Sequence, residues 1–139
     1  MERTGSCACG AVTIKTAQDP MSTFACWCTD CQKLTTGGAA HDAFFRSEDV
    51  SWEGTIKWHE VMPASGTPLA RGFCPECGTP LLARSTADRP FYVVRIGIFD
   101  DTSDLAPQQT IWTSSAPHWA HIDPNVPSRR KYTRSSCIV

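Results

Sequence analysis

The stretch Cys26-Trp27-Cys28-Thr29-Asp30-Cys31 packs three thiols into six residues. Three sulfurs this close in the chain can hold a metal ion, yet a structural zinc takes four protein ligands. A reactive zinc keeps three and gives its fourth position to water or substrate. The fold and the chemistry to expect depend on where the other cysteines stand.

Cys74-Pro75-Glu76-Cys77-Gly78 is the strongest single motif. Two thiolates two residues apart, with Pro inside and Gly after, form a tight turn whose amides face the sulfurs, and such turns supply two ligands to a tetrahedral zinc. A redox dithiol of the same spacing usually opens a helix in a βαβ setting. That setting is missing here, so zinc is the preferred reading. In Gly5-Ser6-Cys7-Ala8-Cys9-Gly10-Ala11-Val12-Thr13-Ile14-Lys15, the pairs Cys7/Cys9 and Val12/Ile14 recur at a period of two. That predicts a strand with both thiols on one face.

Cys7, Cys9, Cys74 and Cys77 would then close one inert zinc site and tie the N-terminal strand to the middle of the chain. Such a site contributes on the order of 10 kcal/mol of apparent binding free energy, much of it expressed as folding. Cys26, Cys28 and Cys31 remain as a set of three. The alternatives are that they share a four-sulfur site with another cysteine, or are small buried apolar residues. Spacing alone does not decide which pairs share a metal. Seven clustered thiols do fit one closed site of four and one open site of three. Cys137 reads as an unpaired surface thiol.

Zinc with three thiolates carries a net charge of -1, so it activates water less than a three-histidine zinc, whose bound water has a pKa of about 7. A soft thiol ligand suits such a centre. Two mechanisms are open: a thiol that binds as fourth ligand and adds to, or leaves, a small electrophile, or a zinc hydroxide that attacks a polarised carbon. Asp30 could move a proton in either, or serve as a turn or helix-cap residue. Lys33 reads first as solvated and second as a partner for an anionic substrate. His41, His59, His118 and His121 show no ligand spacing with any cysteine and read as surface or polar-core residues. Trp27, Trp112 and Trp119 could wall a pocket, but read first as core.

The chain has 139 residues, the length of one domain, with a formal net charge of -1. That balance makes no case for nucleic acid or an anionic membrane as partner. Arg129-Arg130-Lys131 reads as a solvated cluster. No apolar run approaches the roughly 18 residues of a membrane span. Met1-Glu2-Arg3-Thr4 lacks the layout of a secretory signal. A cytoplasmic protein is expected, in which clustered cysteines bind metal rather than form disulfides.

Strands are expected over Gly5 to Lys15, Thr23 to Cys28, Ala39 to Phe45, Leu69 to Phe73, Phe91 to Ile96 and Gln109 to Thr113. A hairpin is expected around Gly54, joining Val50-Ser51-Trp52 to Thr55-Ile56-Lys57-Trp58. A short helix fits Asp30 to Leu34. With no sustained 3.6-residue apolar period, the fold class is mainly β, built of short antiparallel strands with few or no long helices.

The cysteine motifs, taken with Gln32-Lys33 after the central one and Gly72-Phe73 before the last, resemble the glutathione-dependent formaldehyde-activating enzyme family, also called GFA or CENP-V. Gly97-Ile98-Phe99-Asp100-Asp101 and Ala116-Pro117-His118-Trp119 are similar to its C-terminal half, so the resemblance covers residues 1–139. It implies a β-tent fold similar to a zinc-binding chaperone of small GTPases. It implies two zinc ions per chain: a structural one on Cys7, Cys9, Cys74 and Cys77, and a catalytic one on Cys26, Cys28 and Cys31. The implied activity condenses formaldehyde with glutathione, a carbon–sulfur lyase in the reverse sense. Trp27 stands where the family often has His. A hydrolase acting on a small carbon–nitrogen bond is the nearest rival, and a non-catalytic zinc module binding a protein partner is the rival from another class. Glutathione is an anion, for which Lys33, Arg46, Arg71 and Arg95 are the available cations.

Overall fold

Short strands carry most of the fold, as a chain rich in Pro and Gly between apolar runs would require. The computed structural model describes residues 1–63, 66–87 and 89–132. Strands β1 (Arg3–Ser6) and β2 (Thr13–Thr16) form a hairpin. The helix α1 (Thr29–Leu34) lies between β3 (Ser22–Cys26) and β4 (Ala40–Arg46). There follow β5 (Val50–Glu53), β6 (Lys57–Val61), β7 (Leu69–Phe73), β8 (Pro80–Ser85), β9 (Phe91–Arg95) and β10 (Gln109–Ile111). One sheet has the order β1-β2-β5 and the other β10-β3-β4-β9-β8-β7-β6. All pairings are antiparallel except β10 with β3. The mainly β class and the short helix agree with the sequence reading. No described helix is long and apolar enough to cross a membrane.

Three expectations are corrected. Cys7 and Cys9 do not lie on a strand: they sit in the loop between β1 and β2, where Gly10 takes a φ of 78°. Their period of two is the spacing of a turn that aims two sulfurs at one point. Second, Val50 to Trp58 is not a hairpin. β5 joins the small sheet through β2, and β6 joins the large one through β7. Gly54, with a φ of 94°, marks the crossing; a Cβ there would strike the Ala11 carbonyl. Third, Trp119 is not core but 65% exposed. In addition, β8 was not expected at all. Its Leu81, Leu82 and Ala83 are all buried, so its sequence lacks the polar alternation that marks a half-exposed strand. Cys137 lies outside the described residues.

The large sheet separates two apolar clusters, because alternate residues of a strand point to opposite faces. Ala43, Phe45, Leu82 and Val94 pack with Val12, Ile14, Cys7 and Cys74 under the small sheet. Leu69, Ala83 and Val93 pack on the other face with Phe24, Ile111, Cys26, Cys28 and Cys31.

A buried ion pair lies on that second face. Arg95 Nη1 donates to both carboxylate oxygens of Asp42, at 2.7 and 2.8 Å, and the Asp42 side chain is fully buried. Burial pushes the Asp42 carboxyl up against the pull of Arg95. Removing one partner leaves the other charge buried and alone, which costs about 3–5 kcal/mol. Asp42→Asn or Arg95→Met should therefore lower unfolding stability by about that amount in a denaturant titration, and the double replacement Asp42→Leu/Arg95→Met should cost clearly less than the two single losses added.

Candidate metal centre

The first sulfur cluster is made by two hairpin loops. In one, the Cys7 amide donates to the Val12 carbonyl at 3.0 Å; in the other, the Cys74 amide donates to the Thr79 carbonyl at 3.0 Å. Each loop turns on a glycine with positive φ, Gly10 at 78° and Gly78 at 77°. The Ala8 amide donates to Thr79 Oγ1 at 3.1 Å and holds the two loops together. The sulfurs of Cys7, Cys9, Cys74 and Cys77 all lie within 4.8 Å of one another. Cys7 to Cys9 is 3.6 Å and Cys9 to Cys74 is 3.8 Å. A tetrahedral zinc with bonds of about 2.3 Å sets its sulfurs roughly 3.8 Å apart, so the spacing fits that ion.

Local hydrogen bonds prepare these thiols unevenly. The Thr79 hydroxyl and amide hold Cys77 down to about 5. The Ala11 amide favours the Cys9 thiolate, but Cys7 and Cys77 outweigh it and push Cys9 up to about 12. Four thiolates cannot gather at one point without a cation to offset them.

The second cluster forms where β3 ends and α1 begins. Cys26 is the last residue of β3, Cys28 caps the helix and Cys31 lies in its first turn. The Cys28 sulfur accepts from the Cys31 amide at 3.3 Å, which fixes the spacing locally. All three sulfurs are buried and within 4.8 Å of one another. Among the described residues, no fourth His, Cys, Asp or Glu atom joins this set. Cys26 and Cys31 hold the Cys28 thiol down to about 3, with help from the Cys31 amide and the charge of Arg71. The cost falls on Cys26, whose thiol is pushed up by Cys28 and Cys31.

The surroundings of the three sulfurs are tied together by hydrogen bonds and partly charged. Gln32 Nε2 donates to the carbonyls of Trp27 and Ser115, at 2.8 and 2.9 Å, and so clamps α1 to the segment after β10. Trp27 is buried, while Trp112 packs half-buried against the cluster with a left-handed backbone, φ 59°. Such a backbone is costly for a side chain this large and recurs at functional sites. Asp30 does not cap the helix. Its Oδ2 lies 3.8 Å from Arg71 Nη2.

Of the cations suggested for an anionic substrate, Arg71 and Arg95 lie on the face of the three sulfurs, and Arg95 is committed to Asp42. Lys33 and Arg46 are exposed, as are His41, His59, His118 and His121. The sequence reading did not single out Asp42, nor the distinction between Arg71 and Arg95. The available signal was a lone charge within an apolar strand, as in Leu69-Ala70-Arg71-Gly72-Phe73.

Comparison with known proteins bears on this site. A search of curated proteins gave no match. A crystal structure of a Rhodobacter sphaeroides protein is similar in fold, with a TM-score of 0.56 and 18% identity, covering 90% of this chain and 98% of that one. The family model of the glutathione-dependent formaldehyde-activating enzyme matches residues 2–115, which include all seven clustered cysteines. The chain belongs to the glutathione-dependent formaldehyde-activating enzyme family.

Proposed function

We propose that this chain is a zinc-dependent enzyme of the carbon–sulfur lyase type, acting on the adduct of a small electrophile with a thiol such as glutathione. Cys7, Cys9, Cys74 and Cys77 would hold a structural zinc, and Cys26, Cys28 and Cys31 a catalytic one. The observation that carries the reading is the unequal count of sulfurs, four in one set and three in the other. A closed structural site needs four ligands, whereas three leave the metal able to take one ligand from outside. Because the four-sulfur set joins loops of both sheets, residues 1–139 would act as one domain. The clustered free thiols favour a reducing compartment such as the cytoplasm.

Bound at the second set, zinc would act as a Lewis acid and favour the thiolate form of an incoming sulfur ligand. In the condensing direction the substrate sulfur bonds to the carbonyl carbon, and the thiol proton ends on the carbonyl oxygen. In the lyase direction that carbon–sulfur bond breaks and the proton returns. Asp30, between Cys28 and Cys31 and 45% exposed, would carry the proton. Trp112, packed against the cluster, would shield the reacting atoms from water. Arg71 would offset the charge of three thiolates and an anionic guest.

Metal analysis of the purified chain should give two zinc ions; a single ion would remove the separate active site. Cys28→Ser should keep the fold, lose one zinc and lower turnover by a factor of a hundred or more (roughly 3 kcal/mol in the barrier), whereas Cys77→Ser should unfold the chain, as circular dichroism would show. Millimolar glutathione should raise the thermal midpoint of the zinc-loaded protein. No response would point instead to hydrolysis of a small carbon–nitrogen bond.

A further inference from the structure

Arg71 stands in the middle of β7, opposite Ala83 of β8, and shares a strand face with Leu69. Ala83 and Leu69 both belong to the apolar cluster of Cys26, Cys28 and Cys31, so the guanidinium enters that cluster's side of the sheet. The Arg71 side chain is only 13% exposed. Even so, its Nε and Nη2 are buried and have no hydrogen-bond partner among the described residues. Asp30 Oδ2, at 3.8 Å from Nη2, is too far for a hydrogen bond, and the Asp30 side chain is 45% exposed. Burying a cation with unused donors is unfavourable unless a ligand completes it. Nε and Nη2 are the two nitrogens of one guanidinium edge, a planar fork that fits a carboxylate through two parallel hydrogen bonds. Asp30 lies between two of the three cysteines, and the charge of Arg71 acts on Cys28, so the guanidinium lies beside the sulfurs.

We infer that the Arg71 fork binds a carboxylate of the substrate, and that Asp30 is the placeholder this carboxylate displaces. The substrate class is then a small thiol, or a thiol adduct, that carries a carboxylate near its sulfur. This rests on the reading that an outside sulfur meets the three-cysteine set, and it adds what the rest of that molecule must carry. Arg71 is a substrate-binding residue in this scheme. Displacement also frees Asp30 to carry a proton. A lysine at position 71 would keep the charge and lose the fork.

Calorimetric titration of the zinc-loaded protein with mercaptoacetate, 3-mercaptopropionate and the uncharged 2-mercaptoethanol tests the inference. At least one mercapto acid should bind about tenfold more tightly than 2-mercaptoethanol, the range of one charge-assisted pair. Arg71→Gln should abolish that preference, bringing the acid to the affinity of 2-mercaptoethanol in the same variant. Asp30→Asn should tighten the acid. Equal affinities for acid and neutral thiol in the native chain, or a preference that survives Arg71→Gln, would overturn the fork. Should Arg71→Gln not fold, Arg71→Lys decides: a preference cut threefold or more supports the fork, and an unchanged one overturns it. Acetate separates this inference from the lyase reading. Arg71-dependent thermal stabilisation by acetate, together with no calorimetric binding of any of the three thiols, upholds the fork and removes the sulfur substrate. Equal binding of all the thiols upholds the sulfur substrate and removes the fork.

Discussion

The sulfurs of Cys9 and Cys74 stand 65 residues apart in the chain and 3.8 Å apart in space. That contact joins the hairpin loop of the small sheet to a hairpin loop of the large one, and much of the remaining fold follows from it. With the loops joined, β2 and β5 lie over one face of the large sheet, and Val12 and Ile14 fill the space between them with Phe45 and Val94. Gly10 and Gly78 let each loop turn tightly enough for its sulfurs to converge. The thiols of Cys9 and Cys77 are drawn in opposite directions by their neighbours, because one thiolate of a close set disfavours the next.

Two apolar clusters on opposite faces of one sheet divide the work. The four-sulfur set belongs to the face that carries the small sheet, where binding of the proposed zinc would be coupled to folding. The three-sulfur set belongs to the other face, where a six-residue helix and the segment after β10 form the wall. Because Cys26 closes a strand while Cys28 and Cys31 open a helix, the set is fixed by local geometry. It needs no distant cysteine to assemble, and among the described residues no fourth His, Cys, Asp or Glu atom joins it.

Charge on that second face is arranged in two ways. Arg95 and Asp42 satisfy one another and form part of the scaffold. Arg71 and Asp30 approach without bonding, and one of the two is half in solvent. The tight pair holds the sheet in place under the sulfurs, and the loose pair is the one that a guest can rearrange.

Several features were legible in the chain itself. The spacing of the cysteines marked three local motifs able to supply metal ligands, since ligand spacing in a turn or at a helix start is a local property, but left open which of them share an ion. The residue types showed the mainly β class and the short helix at Asp30 to Leu34. Local pattern did not reveal that Cys7 and Cys9 lie in a loop, because a knuckle and a strand both repeat at two. Nor did it show that Val50 and Lys57 begin strands of different sheets, because a glycine turn looks alike whether the chain returns or crosses. Only the tertiary structure decided which loops share four sulfurs, which arginine is committed to Asp42, and which keeps two donors unpaired among the described residues near Cys28. Those are choices of long-range pairing, and they are set by what the sheet places on each of its faces.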